Sequence, residues 1–249
     1  MDREWAYRAV LAVDIERSAG RGNLALLAIR EVLSTALRAS FEQSGIAWES
    51  CLREDLGDGL RVVPPAGVRK TRLVHPLVHE LAARLRAHNR TAGPATRIRV
   101  RIALHAGDVH LGRDGEVCGR PLEVLARLLD AAPARSALAR APQTTPAVLL
   151  LSQHFYEETV PHGHPGIEPD DFRKVTFTAK EYTADAWLHV PGQPVVVPQT
   201  PEAEAGAEAA AADGPRTPGR LKMVNKASGH GTVNALQSGV QHINITREP

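Results

Sequence analysis

An α+β sandwich, one mostly antiparallel sheet with helices packed on it, is the fold class the sequence predicts. Three observations carry that prediction. Short apolar runs of strand length alternate with stretches whose leucines recur at helical spacing. Tight-turn signals join neighbouring strands directly. Hydrophobic residues make up 43% of the 249-residue chain, enough for a sizeable core. The ten aromatics all lie at or before Trp187. The globular body is therefore expected over residues 1–190, followed by a tail with little core of its own.

Arg8–Ile15 (RAVLAVDI) is apolar and runs into a polar, Gly-containing loop, Glu16–Asn23, as a buried strand does. Asn23 can cap the next segment, Leu24–Gln43, whose Leu24, Leu27, Ile29, Val32, Leu33, Leu37 and Phe41 recur at helical spacing. Ser44-Gly45 closes that helix. Ile46–Arg53 alternates enough for a strand, and Leu60–Val63 is another, with the hairpin signal Gly57-Asp58-Gly59 between them. Pro64-Pro65 ends the pair. Arg72–His88 carries Leu73, Leu77, Leu81 and Leu85 at i,i+4 spacing and is expected to be one helix. Asn89–Thr96 is loop. Arg97–Leu104 alternates basic and apolar residues, a strand with one wetted face, and Val109–Leu111 is its continuation or a hairpin partner. Pro121–Ala132 is a third helix, and Pro133 suits the start of a shorter one reaching Arg140. Ala147–Leu151 is a buried strand, and Phe172–Thr178 with Ala184–Val190 makes a final pair. The order β-α-β-β-α-β-β-α-β plus a terminal pair is that of a ferredoxin-like sandwich with its helices on one side.

Residues 191–228 are rich in Pro, Ala and Glu (EAEAGAEAAAAD at Glu202–Asp213) and are expected to be a flexible linker. Residues 229–249 hold a short motif. Its Val233–Ile245 has Val, Leu, Ile, Asn and Gln, no proline and almost no charge, the composition of a stackable β-segment. A tail that is simply amide-rich is the plain alternative.

Composition also excludes functions. No run of 18 apolar residues exists, so no transmembrane helix is expected, and the N-terminus lacks a secretory pattern. Cys51 and Cys118 are too few for a disulfide framework or a zinc knuckle, so the expected setting is cytoplasmic. Lys and Arg total 30 against 28 Asp and Glu, a net charge of +2 spread along the chain, which argues against nucleic acid. The histidines show no zinc spacing.

The informative pair is Asp14 and Asp58. One ends a strand and the other sits in a tight hairpin. If those strands are neighbours, the carboxylates converge at one edge of the sheet. A hard divalent cation takes such a pair alongside substrate phosphates. The plain alternative is a loop residue and a turn residue.

Four blocks in order resemble the catalytic domain of class III nucleotide cyclases, the adenylate and guanylate cyclase family, in a divergent, actinobacterial-type member. Leu11–Ile15 with its loop resembles the first metal-Asp motif, and Leu56-Gly57-Asp58 the second. Arg101–Val109 (RIALHAGDV) resembles the Arg-x-Gly-x-His-x-Gly-x-Val strand, and Gly119–Leu128 (GRPLEVLARL) the Gly-x-x-Val-Asn-x-Ala-x-Arg-Leu helix entry. The resemblance covers Val10–Val190. It implies that Asp14 and Asp58 hold two Mg²⁺ or Mn²⁺ ions. It implies that Arg101 and Lys180 contact a triphosphate and that Arg127 stabilises charge on the transferring phosphate. Glu54 and Glu116 match the positions that read the base. A carboxylate accepts from both the amino and imino groups of guanine, so the match leans toward GTP. The implied enzyme is a homodimer, with metals and base reader from one chain and Arg127 from the other.

Four positions depart from the family pattern. Glu123 stands where the family has a ribose-orienting Asn, and a carboxylate cannot donate the amide's hydrogen bond. Arg17-Ser18 replaces Gly-Phe in the first motif, and Glu181 stands where Gly is frequent. Leu236–Gly239 with Asn244 resembles bacterial amyloid-type signalling motifs, which implies a protein partner bound through residues 229–245. Three functions follow: a nucleotide cyclase; a catalytically degenerate cyclase-fold module that dimerises or senses nucleotide and recruits a partner by β-stacking; and a generic binding domain.

Overall fold

Apolar residues at every position from Ala9 to Val13 put the first strand in the middle of the sheet, buried on both faces. The computed structural model describes residues 4–112, 115–179 and 182–192. β1 (Glu4–Ile15) pairs antiparallel along its whole length with β4 (Val100–Leu111) on one side. On the other side it pairs with β3 (Gly59–Val63), which forms a hairpin with β2 (Leu52–Asp55). β6 (Ala147–Ser152) lies parallel to β4, then antiparallel to β8 (Tyr182–His189), which pairs with the edge strand β7 (Arg173–Ala179). The two-residue β5 (Val117–Cys118) adds to the far end of β4. The sheet order is β2-β3-β1-β4-β6-β8-β7, and β4–β6 is the parallel pair. The α+β class with a mostly antiparallel sheet is thus the observed one.

Helices cover both faces, which corrects the one-sided expectation. α1 (Asn23–Gln43), α2 (Thr71–Val74), α3 (Leu77–Asn89) and α6 (Gln153–Glu157) pack on the face that carries Leu11, Val13, Ile102 and Leu149. α4 (Arg120–Leu129) and α5 (Ala132–Arg140) pack on the face that carries Val10, Ala12, Ala103 and Leu150. The reason is in the strands themselves: β1 and β6 are continuous apolar runs, and each face needs a partner layer.

Three local expectations also change. Ile46–Arg53 is not a strand throughout. Trp48–Ser50 forms a 3₁₀ turn that seats Trp48 edge-on against Phe41, and pairing begins at Leu52. Arg72–His88 is two helices, because Pro76 disfavours helical backbone at His75 and interrupts the leucine ladder between Val74 and Leu77. Gly22, not Asn23, precedes the first helix, and no side chain caps it. The Val109–Leu111 alternative resolves as a continuation, since β4 runs unbroken to Leu111. Entry into β4 is set by buried Asn89, whose amide donates to Ile98 O at 2.6 Å and accepts from Ile98 N at 2.8 Å. Among the described residues no helix is long and apolar enough to cross a membrane. The linker and motif expected over 191–228 and 229–249 lie, from residue 193 on, outside the described residues.

Candidate active site

Strand register builds the site. Asp14 lies opposite Gly59 on β3 and opposite Arg101 on β4, on the face that α4 covers. A Cβ at Gly59 would come 2.1 Å from Val13 O, so only glycine lets the hairpin close this tightly on β1. The hairpin then returns to β1, where Ile15 N donates to Asp58 O at 3.1 Å. The two predicted aspartates are therefore neighbours.

Arg101 meets Asp14 with both ends of its fork. Nε donates to Oδ1 at 2.9 Å and Nη2 donates to Oδ2. The pair is well buried, with Arg101 14% and Asp14 11% exposed along their side chains. Burial pushes the Asp14 carboxyl above its ordinary value; Arg101 offsets part of this, and the Asp58 and Asp130 charges add to it. Asp58 is half-buried and accepts from Ser18 Oγ at 2.6 Å. Ser18, a departure from the family pattern, thus gains a defined task in holding the second carboxylate.

The loop between β1 and α1 is tied by Arg21, a residue sequence reasoning passed over. Its guanidinium donates to Arg17 O and Glu16 O, both at 2.7 Å, and to Arg97 O at 2.5 Å. Nothing in the spacing signals this, because the acceptors are backbone carbonyls brought in by tertiary folding. Arg17 sits at φ 52°, the left-handed region in which a non-glycine residue is strained. Its side chain is exposed, so Arg17→Gly should raise stability by ~0.5–1 kcal/mol in urea unfolding. An equal or lower midpoint would show that the loop carries no such strain.

The other predicted residues fall in two further places. Glu54 and Glu116 line one cavity of about 400 Å³, between the β2–β3 hairpin and the turn before β5. Arg61, opposite Glu54 in register, pairs with its carboxylate inside that cavity. Asp14, Asp58, Arg101 and Arg127 are not among its lining residues. Glu123 and Arg127 lie one turn apart on α4. Glu123 is exposed, and the Arg127 guanidinium lies over the Tyr182 ring, 5.1 Å from its centroid. Lys180 and Glu181 lie outside the described residues.

A second cavity of about 410 Å³ was not foreseen. It lies between α4, α6 and the β7–β8 hairpin, lined by His105, Ser152, His154, Glu157, Tyr182 and Asp185 among others. His105 Nδ1 hydrogen-bonds Ser152 Oγ at 2.8 Å, and burial with the nearby His154 pushes His105 down to about 4. It is a neutral imidazole at neutral pH.

The donor chemistry at Asp14 and Asp58 suits a hard divalent cation: two carboxylates, with phosphates completing the shell. In this chain both Asp14 oxygens meet Arg101 and one Asp58 oxygen meets Ser18. Among the described residues no group of three or more His, Cys, Asp and Glu side chains could hold a metal ion. Among the described residues these side chains form no all-protein cation cage.

No protein-family model matches the chain, and no curated protein does. Solved structures do. The guanylyl cyclase Cya2 is similar with a TM-score of 0.56 at 17% identity, over 76% of this chain and 95% of that one. An adenylate/guanylate cyclase/hydrolase from Silicibacter pomeroyi gives 0.56 at 18% identity, over 76% and 99%. The adenylyl cyclase CyaB from P. aeruginosa gives 0.51 at 13% identity, over 79% and 100%. At these identities the likeness is one of fold: the chain folds as adenylyl and guanylyl cyclase domains do.

Proposed function

We propose that the chain is a cytoplasmic signalling enzyme, a nucleotide cyclase. It converts a nucleoside triphosphate, with GTP preferred, to a 3′,5′-cyclic nucleotide and pyrophosphate. The observation that carries this reading is the convergence of Asp14 and Asp58 beside Arg101, on a fold shared with cyclase domains.

Asp14 and Asp58 would hold Mg²⁺ or Mn²⁺, which supplies activation of the ribose 3′-hydroxyl and neutralisation of the triphosphate. The chain's own residues do the rest. Arg101 and Lys180 bind the triphosphate, for which a planar guanidinium is well shaped. Arg127 stabilises the charge that grows on the transferring phosphate. Glu123 accepts from a ribose hydroxyl where an amide would donate. Glu54, oriented by Arg61, and Glu116 accept from the base, which favours guanine. Neither Asp14 and Asp58 nor Arg127 lines the Glu54–Glu116 cavity of the same chain. A homodimer brings one chain's Asp14 and Asp58 to its partner's Arg127. The direct test incubates the protein with Mn²⁺ and each of ATP, GTP, CTP and UTP. Cyclic GMP should exceed the other products, and no cyclic product from any of the four sinks the reading.

A second reading is favoured by the closed Arg101–Asp14 pair, the strained Arg17 and the carboxylate at Glu123. In it the body is a degenerate, nucleotide-sensing dimer, and residues 229–245 recruit a protein partner by amyloid-like β-stacking. Sedimentation separates this reading: a chain ending at Pro198 that assembles as fully as the whole chain removes it.

A further inference from the structure

One nucleophilic pair plays no part in the site above. β5 places Cys118 directly opposite His110 on β4, and β1 places Trp5 directly opposite His110 on its other side. The three residues form a row across three strands. Cys118 Sγ lies 3.6 Å from His110 Nδ1, and the thiol is exposed. Trp5 stands edge-on to the imidazole with ring centroids 5.6 Å apart, and is itself 67% exposed. His110 Nε2 is buried and meets no hydrogen-bond partner among the described residues. The ring's other nitrogen, Nδ1, faces the sulfur. The other cysteine is the opposite case. Cys51 is buried in the core, hydrogen-bonds Ala47 O at 3.5 Å, and burial pushes its thiol up to about 11.

We propose that Cys118 and His110 form a reactive thiol–imidazole pair, a modification site at which small disulfides exchange with the chain. His110 Nδ1 takes the proton from Cys118 Sγ. The thiolate attacks one sulfur of a disulfide R–S–S–R; the Cys118–S–S–R bond forms and the R–S–S–R bond breaks. R–S⁻ leaves and is protonated from the imidazolium or from water, so Cys118 is oxidised as the disulfide is reduced. Trp5 gives the incoming group an exposed aromatic wall. The pair sits apart from Asp14, Asp58 and Arg127, so it stands whether or not the chain makes a cyclic nucleotide.

The probe is 5,5′-dithiobis(2-nitrobenzoate) on the full chain, followed by absorbance and intact mass. Near neutral pH one thiol should react quickly; Cys118→Ser should abolish that phase and Cys51→Ser should leave it. His110→Gln should slow it about fivefold or more, with the two rates converging in strong base, where solvent takes the proton from any thiol. A persistently slow Cys51 shows that the variant is folded. Should it not fold, wild type decides alone: Cys118 should outpace a Val-Cys-Gly peptide by about fivefold near neutral pH. Cys118 and Cys51 reacting at equal rates, His110→Gln leaving the rate unchanged, or Cys118 no faster than the peptide overturns the proposal.

Discussion

Asp14→Leu should lower the free energy of unfolding by about 3 kcal/mol, and Arg101→Met by a similar amount. Each change strands the other partner of a pair whose side chains are only 14% and 11% exposed. A lone guanidinium or carboxylate left in that position carries its desolvation cost uncompensated. The double variant, Asp14→Leu with Arg101→Met, should come back to within about 1 kcal/mol of wild type. Two apolar side chains between Ala12, Ala103 and Val148 extend a layer that is already apolar. Urea unfolding of the four proteins closes the cycle, and costs that simply add in the double variant would refute the coupling. The comparison bears on function as well as stability. An apolar pair would hold these strands together as well as the charged one, so folding alone does not require Asp14 and Arg101.

How legible was this in the sequence? The convergence of Asp14 and Asp58 could be foreseen. The apolar run before Asp14 and the Gly-Asp-Gly turn at Asp58 are local signals, and adjacent strands follow from them. The covering of both faces was legible too, because β1 and β6 lack the alternation of a half-wetted strand. The broken helix at Pro76 was masked by Leu73, Leu77, Leu81 and Leu85, whose spacing continues through the break. The Arg101–Asp14 pair was not legible. It depends on the register between strands 87 residues apart, which no spacing encodes. The same holds for Arg21, which binds backbone carbonyls, and for the row Trp5–His110–Cys118. Long-range register assembles these groupings, while composition and periodicity report only the elements that carry them.

The second large effect falls on activity. Asp58 is half-buried and its partner in the site is a hydroxyl, so its removal should cost little stability. In Asp58→Ala, Ser18 loses one hydrogen bond, about 1 kcal/mol. Turnover is another matter. With Asp14 alone, held by Arg101, one of the two carboxylates that would hold the divalent cation is gone, and with it the cation's neutralisation of the triphosphate. Removal of a group that stabilises transition-state charge lowers turnover by roughly 100-fold or more. Asp58→Ala therefore separates folding from function more cleanly than Asp14→Leu, which disturbs both.

Formation of cyclic GMP from GTP with Mn²⁺, measured side by side in wild type and Asp58→Ala, is the direct measurement. The expected result is product from wild type, at least ~100-fold less from the variant, and unfolding midpoints that nearly coincide. Product undiminished in Asp58→Ala, or none from wild type, would contradict the assignment of a nucleotide cyclase site to this chain.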